Sequence, residues 1–213
     1  VSTSPRDWLE VLLHVLAPST CSACGELESE RAFCTTCGVP PRSAPSDVDG
    51  VPVLTAGRYA PPLSDAIRRF KFEGHPELAR PLARLVLPVV EELELEPRDA
   101  WVPVPLHRSR LVERGFNQSA LLARIFAKST GARFAPRKLE RRRQTDQQAR
   151  LGRAARAHNA FGAFVVRRPV AAERVVLVDD VVTTGATARA CLAALREANI
   201  AVLAVVALAQ APG

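Results

Sequence analysis

The stretch Arg174-Val-Val-Leu-Val-Asp-Asp-Val-Val-Thr-Thr-Gly-Ala-Thr187 runs from apolar residues, through two adjacent carboxylates, into hydroxyls set around a glycine. Arg174–Val178 is mostly β-branched, the composition of a central parallel strand buried on both faces. Thr183, Thr184, Gly185, Ala186 and Thr187 make the turn into a helix predicted over residues 186–198. In open α/β sheets, ligands bind where strands end and helices begin. The first N–H groups of a helix lack internal partners, and the helix dipole favours negative charge there. Gly185 lets the backbone approach a phosphate, and the threonine hydroxyls add donors.

Asp179 and Asp180 would repel that phosphate unless the ligand also carries hydroxyls. Carboxylates accept charge-assisted hydrogen bonds from a vicinal diol, and these are stronger than neutral ones. A ribose 5-phosphate meets both demands, with phosphate on the loop and the 2′ and 3′ hydroxyls on the acids. The loop has neither the Gly-x4-Gly-Lys-[Ser/Thr] pattern of triphosphate sites nor the Gly-x-Gly-x-x-Gly of dinucleotide sites. An N-capping threonine behind an acidic strand end is the plain structural alternative.

Outward from this stretch, strands alternate with helices. Strands are predicted at residues 51–57, 101–104, 133–136, 163–166 and 201–209, and helices at Leu63–Phe72, 77–95 and 117–128. Pro81 and Pro88 should bend or interrupt the second helix. The alternation predicts a doubly wound α/β sheet over residues 51–213, in keeping with a chain of 213 residues. Residues 39–49, rich in Pro and Ser, read as a linker. Ahead of it lies a small module, residues 1–45, that begins with a short amphipathic helix over residues 8–16.

That module holds Cys21-Ser-Ala-Cys24 and Cys34-Thr-Thr-Cys37, with nine residues between the pairs. Four thiolates in two knuckles suit a structural tetrahedral Zn²⁺ and leave no open position for catalysis. Two disulfides are the rival reading, which a cytosolic setting disfavours. The cytosol is the expected location, because no secretory signal and no apolar run near the roughly 20 residues of a membrane span is seen. Cys191 stands in an Ala/Leu-rich segment and reads as core packing.

The net charge of +7 is unevenly spread. Residues 101–170 carry 16 Lys+Arg against 3 Asp+Glu, which points to a polyanionic substrate or partner or, more simply, to a solvated Arg-rich surface. A ligand with a second anionic group needs a second site. The loop from Pro105 to Arg110, which includes Leu106, His107 and Arg108, is the candidate by position. Arg114 offers a fork for phosphate oxygens, whereas Asn117 and Gln118 either orient a ligand or cap the following helix.

The stretch ending at Thr187 closely resembles the motif that binds 5-phosphoribosyl 1-pyrophosphate (PRPP) in type I phosphoribosyltransferases. Val102-Pro-Val-Pro-Leu-His107, Arg114-Gly-Phe-Asn-Gln118, Thr145-x-x-Gln148-x-x-Leu151 and Arg156-x-x-Asn159 occur in the order typical of the ComF family. The tetracysteine segment and Phe70-Lys71-Phe72-Glu73-Gly74 are similar to that family as well. The resemblance implies a type I phosphoribosyltransferase-like parallel sheet flanked by helices, beside a small zinc module. It implies PRPP on Asp179, Asp180, Val181 and residues 183–187, with Leu106, His107, Arg108 and Arg114 toward the pyrophosphate. It further implies Mg²⁺ bridging pyrophosphate and ribose hydroxyls, and a mobile loop whose Arg142 and Arg143 act with Asp179 and Asp180 in catalysis. The expected reaction is phosphoribosyl transfer from PRPP to an unidentified acceptor with release of pyrophosphate. The alternative is a DNA-uptake accessory that binds PRPP, single-stranded DNA and uptake proteins without efficient turnover.

Overall fold

The structure is a computed structural model, and it describes residues 20–26, 32–141, 162–167 and 174–211. The segment expected to form a helix over residues 8–16 and the arginines Arg142 and Arg143 lie outside those residues.

Nine strands and five helices follow in chain order among the described residues. They are β1 (Ser46–Val48), β2 (Val51–Arg58), α1 (Leu63–Phe72), α2 (Ala79–Glu91), β3 (Ala100–Pro103), α3 (Arg108–Arg114) and α4 (Gln118–Thr130). Then come β4 (Arg133–Phe134), β5 (Leu139–Arg141), β6 (Phe164–Val166), β7 (Arg174–Val178), β8 (Val181–Val182), α5 (Ala186–Glu197) and β9 (Ala201–Gln210). The main sheet has the order β1-β2-β9-β7-β3-β4, with β8 pairing β9, and all its pairs are parallel except β1 with β2. β5 and β6 form a separate antiparallel ribbon.

The two-residue period of the strands divides the core into two layers. Val176 and Val178 of β7 face one side, together with Trp101, Ile67, Phe70, Leu82, Leu122 and Phe126, where α1, α2 and α4 pack. Val175 and Leu177 face the other, against Ala188, Cys191, Leu192 and Leu195 of α5. Helices thus cover both faces, and β7 sits inside the sheet between β9 and β3 as its composition requires. Removing one of these packed side chains, Leu192→Ala for instance, costs about 2–5 kcal/mol in such surroundings. Cys191 is fully buried core, and that burial pushes its thiol well up.

Two polar devices fix the strand starts. Asp99, fully buried, accepts from Arg174 Nε at 2.9 Å and Nη2 at 2.5 Å, and from the Glu96 N–H at 2.7 Å. The pair clamps the entrance of β7 to that of β3. On the next edge, the Trp101 indole donates to Thr130 Oγ1 at 2.9 Å and ties β3 to the end of α4.

Several local readings need correction. The second helix is not interrupted: α2 contains Pro88 and stays continuous to Glu91. Pro81 lies in its first turn, where a missing N–H costs nothing, and Pro88 lies in its last, while Leu82, Ala83, Val86 and Val90 bury the apolar face. The segment from Arg108, expected as loop, forms the short helix α3, capped by His107 and closed by Gly115 at φ 77°. Part of the expected linker, Ser46–Val48, pairs with β2 as an edge strand. The strand near residue 163 joins β5 in the ribbon, not the main sheet.

Candidate functional site

β7 ends at Val178, so Asp179 and Asp180 emerge at the carboxyl edge of the sheet. The loop after β3 leaves beside them, with the Val104 N–H bonded to the Val178 carbonyl at 2.8 Å. The chain then passes through β8 and turns at Gly185, in the left-handed region at φ 72°, into α5. Val48 Cγ2 lies 3.2 Å from where a Cβ on Gly185 would stand, so β1 and the backbone geometry both call for glycine there. Thr184 Oγ1 accepts from the Ala186 N–H at 3.4 Å, and the Arg189 guanidinium folds back to donate to the Thr184 carbonyl. A helix N-terminus, three threonines and one guanidinium therefore belong to the same turn. Thr183, Thr184, Ala186 and Thr187 are exposed.

Two segments far apart in sequence converge on the acid pair. Lys71, in the last turn of α1, places Nζ 2.7 Å from Asp180 Oδ1 with both side chains mostly buried. Ser119, in the first turn of α4, donates from Oγ to Asp179 Oδ1 at 3.4 Å, and the Asp180 N–H donates to that same oxygen at 2.8 Å. The end of α1 is held against the start of α4 by Phe70 on Phe116, with ring centroids 5.7 Å apart, and by Arg114 stacked 4.8 Å from the Phe72 ring. Arg114 also donates to Gln118 Oε1 at 3.4 Å, and Gln118 is fully buried. Asn117 caps α4 by accepting from the Ala120 N–H at 3.3 Å and donates from Nδ2 to the Val104 carbonyl at 3.0 Å. The phenylalanine-lysine motif and the arginine-asparagine-glutamine motif thus form one support for the carboxylates.

On each acid, Oδ1 is taken by protein donors while Oδ2 has none among the described residues. Burial, and then the charge of Asp180, push the Asp179 carboxyl up to about 7. With Asp180 balanced by Lys71 and the Asp179 carboxyl pushed up, the pair presents less negative charge to a nearby phosphate than two free carboxylates would. Each acid therefore keeps one oxygen without a protein donor among the described residues, an acceptor of the kind a sugar hydroxyl needs.

Beyond the acids, the loop after β3 borders an open cleft of about 380 Å³. Leu106, His107 and Arg108 line it together with Arg137, Arg141 and Arg167. Arg167 is paired with Glu140, whereas Arg108 and Arg137 have no ion-pair partner among the described residues. His107 is committed locally, with Nδ1 2.6 Å from Ser109 Oγ.

The four cysteines Cys21, Cys24, Cys34 and Cys37 bring their sulfurs within 4.8 Å of one another. Cys24 and Cys34 are 3.8 Å apart, the spacing of about 3.8 Å that tetrahedral bonds of about 2.3 Å produce, and all four are free thiols. The Cys34 N–H points at Cys21 Sγ at 3.4 Å and the Cys37 N–H at Cys34 Sγ at 3.5 Å, as around metal thiolates. Burial pushes the Cys21 thiol up, but backbone donors from Cys24, Cys34 and Ala23 outweigh it and bring it down to about 6. The cluster fits a tetrahedral metal ion, and the disulfide reading fails on sulfur separation. No comparable group of three or more metal-ligating side chains occurs elsewhere among the described residues. At the acid pair, Lys71 Nζ already occupies Asp180 Oδ1, the place a cation on that oxygen would take.

Sequence reasoning missed Lys71, Ser119 and Arg189 as members of the site. Lys71 lay within a quoted motif, flanked by phenylalanines, but nothing local signals which carboxylate it meets. Arg189 follows the glycine turn by one helical turn, a spacing that could have pointed to it.

This architecture, with paired acids and a hydroxyl-glycine turn at the carboxyl edge of the sheet, defines an α/β protein built on a mostly parallel sheet. No family model matches the chain. It is 34% identical over 180 residues to the DNA utilization protein YhgH of Escherichia coli K12, covering 78% of this chain and 79% of that protein. It is 29% identical over 214 residues to competence protein F of Haemophilus influenzae, covering 93% of each. Adenine phosphoribosyltransferase from Leishmania donovani is similar with a TM-score of 0.42 and 15% identity over 77% of this chain and 73% of that one, too distant to support a functional argument. The chain belongs to the ComF/YhgH family of competence and DNA-utilization proteins.

Proposed function

We propose that this protein is a DNA-utilization accessory that binds PRPP and single-stranded DNA without rapid turnover, with zinc held by the cysteine cluster. The observation that carries it is the order of groups at the carboxyl edge of the sheet: Asp179 and Asp180, each with one oxygen lacking a protein donor among the described residues, then the Gly185 turn with Arg189 folded onto it. The sugar diol donates to the carboxylates, and its 5-phosphate takes the N–H groups of α5, the threonine hydroxyls and the Arg189 guanidinium. The pyrophosphate points to the cleft beyond Asp180, toward Arg108, Arg137 and Arg141. The relatives named for DNA utilization and competence support the DNA side of this reading, as does the excess of arginine over residues 101–170.

The second reading is transfer of the phosphoribosyl group to an acceptor, with Arg142 and Arg143 joining the site, and the arginine-lined cleft favours it. Departure of pyrophosphate from ribose C1 leaves positive charge on the ring. Guanidinium groups around the leaving oxygens and a carboxylate pair under the sugar stabilise the two halves of that separation. The test is a calorimetric titration with PRPP, with and without a single-stranded oligonucleotide, run beside a pyrophosphate-release assay over candidate nucleobases. The accessory reading expects PRPP and oligonucleotide binding with release near background. Fast, acceptor-dependent release overturns it in favour of transfer.

A further inference from the structure

An acid pair at a phosphate site ordinarily invites a divalent cation, but here the place beside Asp180 is taken. Lys71 Nζ stands 2.7 Å from Asp180 Oδ1, at the end of a helix that cannot swing freely. Phe70 of that helix is fully buried and packs on Phe116, Arg114 lies over Phe72, and Arg69 is bonded to the Cys21 and Ser22 carbonyls at 2.9 and 3.1 Å. The ammonium is thus delivered by a helix anchored on three sides, and its side chain is only 16% exposed. A divalent ion on the same oxygen would sit within a few ångströms of that ammonium, with a repulsion doubled by its charge. Of the side chains that contact the pair, Lys71 from α1 is cationic and Ser119 from α4 is neutral, and no other cation pairs with either acid among the described residues.

We infer that Lys71 is the built-in counter-ion of the acid pair, so that Asp179 and Asp180 hold the sugar without a divalent metal of their own. Any Mg²⁺ bound with a pyrophosphate ligand is then carried by the pyrophosphate, and a sugar phosphate lacking it binds equally well without metal. The sugar half of this inference rests on the proposed function. The metal half does not.

The experiment therefore has two arms on zinc-loaded full-length protein. In the first, Mn²⁺ alone is titrated and the free ion is followed by electron paramagnetic resonance. The wild type is expected to show no site that depends on Asp180. Lys71→Met is expected to gain one Mn²⁺ per chain, lost again in Lys71→Met/Asp180→Asn, and Lys71→Arg is expected to stay metal-free. A wild-type Mn²⁺ site abolished by Asp180→Asn, or no gain in a folded Lys71→Met, overturns the inference. Thermal unfolding checks the fold of each variant, and Asp180→Asn in the wild-type background keeps the question decidable if Lys71→Met does not fold. In the second arm, ribose 5-phosphate binds the wild type with the same affinity in EDTA and in Mg²⁺, while Lys71→Met loses at least about tenfold in EDTA. Mg²⁺-dependent binding by the wild type overturns the inference. Absence of ribose 5-phosphate binding under both conditions overturns the sugar reading and leaves the Mn²⁺ arm to decide the metal claim.

Discussion

Arg69 Nη1 donates to the Cys21 carbonyl at 2.9 Å and so fastens the first cysteine knuckle to α1, two residues before Lys71. A second bond, to the Ser22 carbonyl at 3.1 Å, makes the contact a fork, and Glu73 holds the other side of the guanidinium at 3.5 Å. The cysteine cluster is therefore mechanically continuous with the helix that balances Asp180.

Removing the metal should loosen that helix. Chelation of zinc is expected to lower the melting temperature and to weaken ribose 5-phosphate binding together, because the knuckle backbone whose carbonyls Arg69 reads is no longer closed by the metal. Arg69→Ala should cost about 1–3 kcal/mol through the carbonyls it leaves unpaired. Calorimetry of the variant and of the chelated wild type measures both. Unchanged sugar-phosphate affinity after complete zinc loss would separate the cluster from the site.

The acids make opposite contributions to the pH dependence of stability. Asp179 binds its proton more tightly in the fold, with its carboxyl raised from 3.8 to about 7 by burial and by Asp180. Its contribution is complete below about pH 3.8 and is lost as the pH climbs through about 7. Asp99 is held low by its bonds to Arg174, so its contribution is present above the ordinary carboxylate range and is lost as the pH falls. Asp179→Asn should thus flatten the decline in stability between pH 4 and 7, at most about 1.4 kcal/mol per pH unit for one proton, while Asp99→Asn removes the acid-side loss. Urea midpoints across the pH range report both signs.

At Gly185 the backbone and β1 leave no room for a side chain. Gly185→Val meets Val48 at 3.2 Å and imposes a left-handed conformation on a β-branched residue. The left-handed backbone alone costs roughly 1–2 kcal/mol. The variant is expected to lose that stability, and to lose phosphate binding more severely because the turn that aims the α5 N–H groups must move. Melting temperature and inorganic phosphate titration separate the two effects.

Oligonucleotide binding should be chiefly electrostatic. Of the aromatic side chains in residues 101–141, Trp101 and Phe126 are buried in the core and Phe116 packs on Phe70, so few stacking platforms remain among the described residues. Affinity for single-stranded DNA is expected to fall linearly in log–log form with salt, with a slope near −0.7 per phosphate neutralised. Arg108→Ala and Arg137→Ala should each reduce that slope if the cleft takes the strand.

The sequence made parts of this legible for physical reasons. Arg174–Val178 matches its expected span because a strand buried on both faces has few other compositions, and Leu63–Phe72 matches because its apolar residues repeat at helical spacing. The cysteine spacing disclosed a cluster whose sulfurs do meet. β1, β5 and β8 were not read as strands: β1 lies in a Pro- and Ser-rich stretch, β5 in a charged one and β8 within the turn after the acids, while α3 buries no residue and so shows no apolar stripe. Gln118 gave no hint that its amide would be fully buried. Lys71 and Asp180 illustrate the deeper limit: their contact is made by the packing of α1 on the sheet, and neither neighbourhood encodes the other.

The most direct measurement is a crystal structure with ribose 5-phosphate bound. The account expects the 2′ and 3′ hydroxyls on the free oxygens of Asp179 and Asp180, the phosphate at residues 184–187 near Arg189, and Lys71 still on Asp180. A sugar bound elsewhere, or bound there with both carboxylates turned away from its hydroxyls, would contradict it.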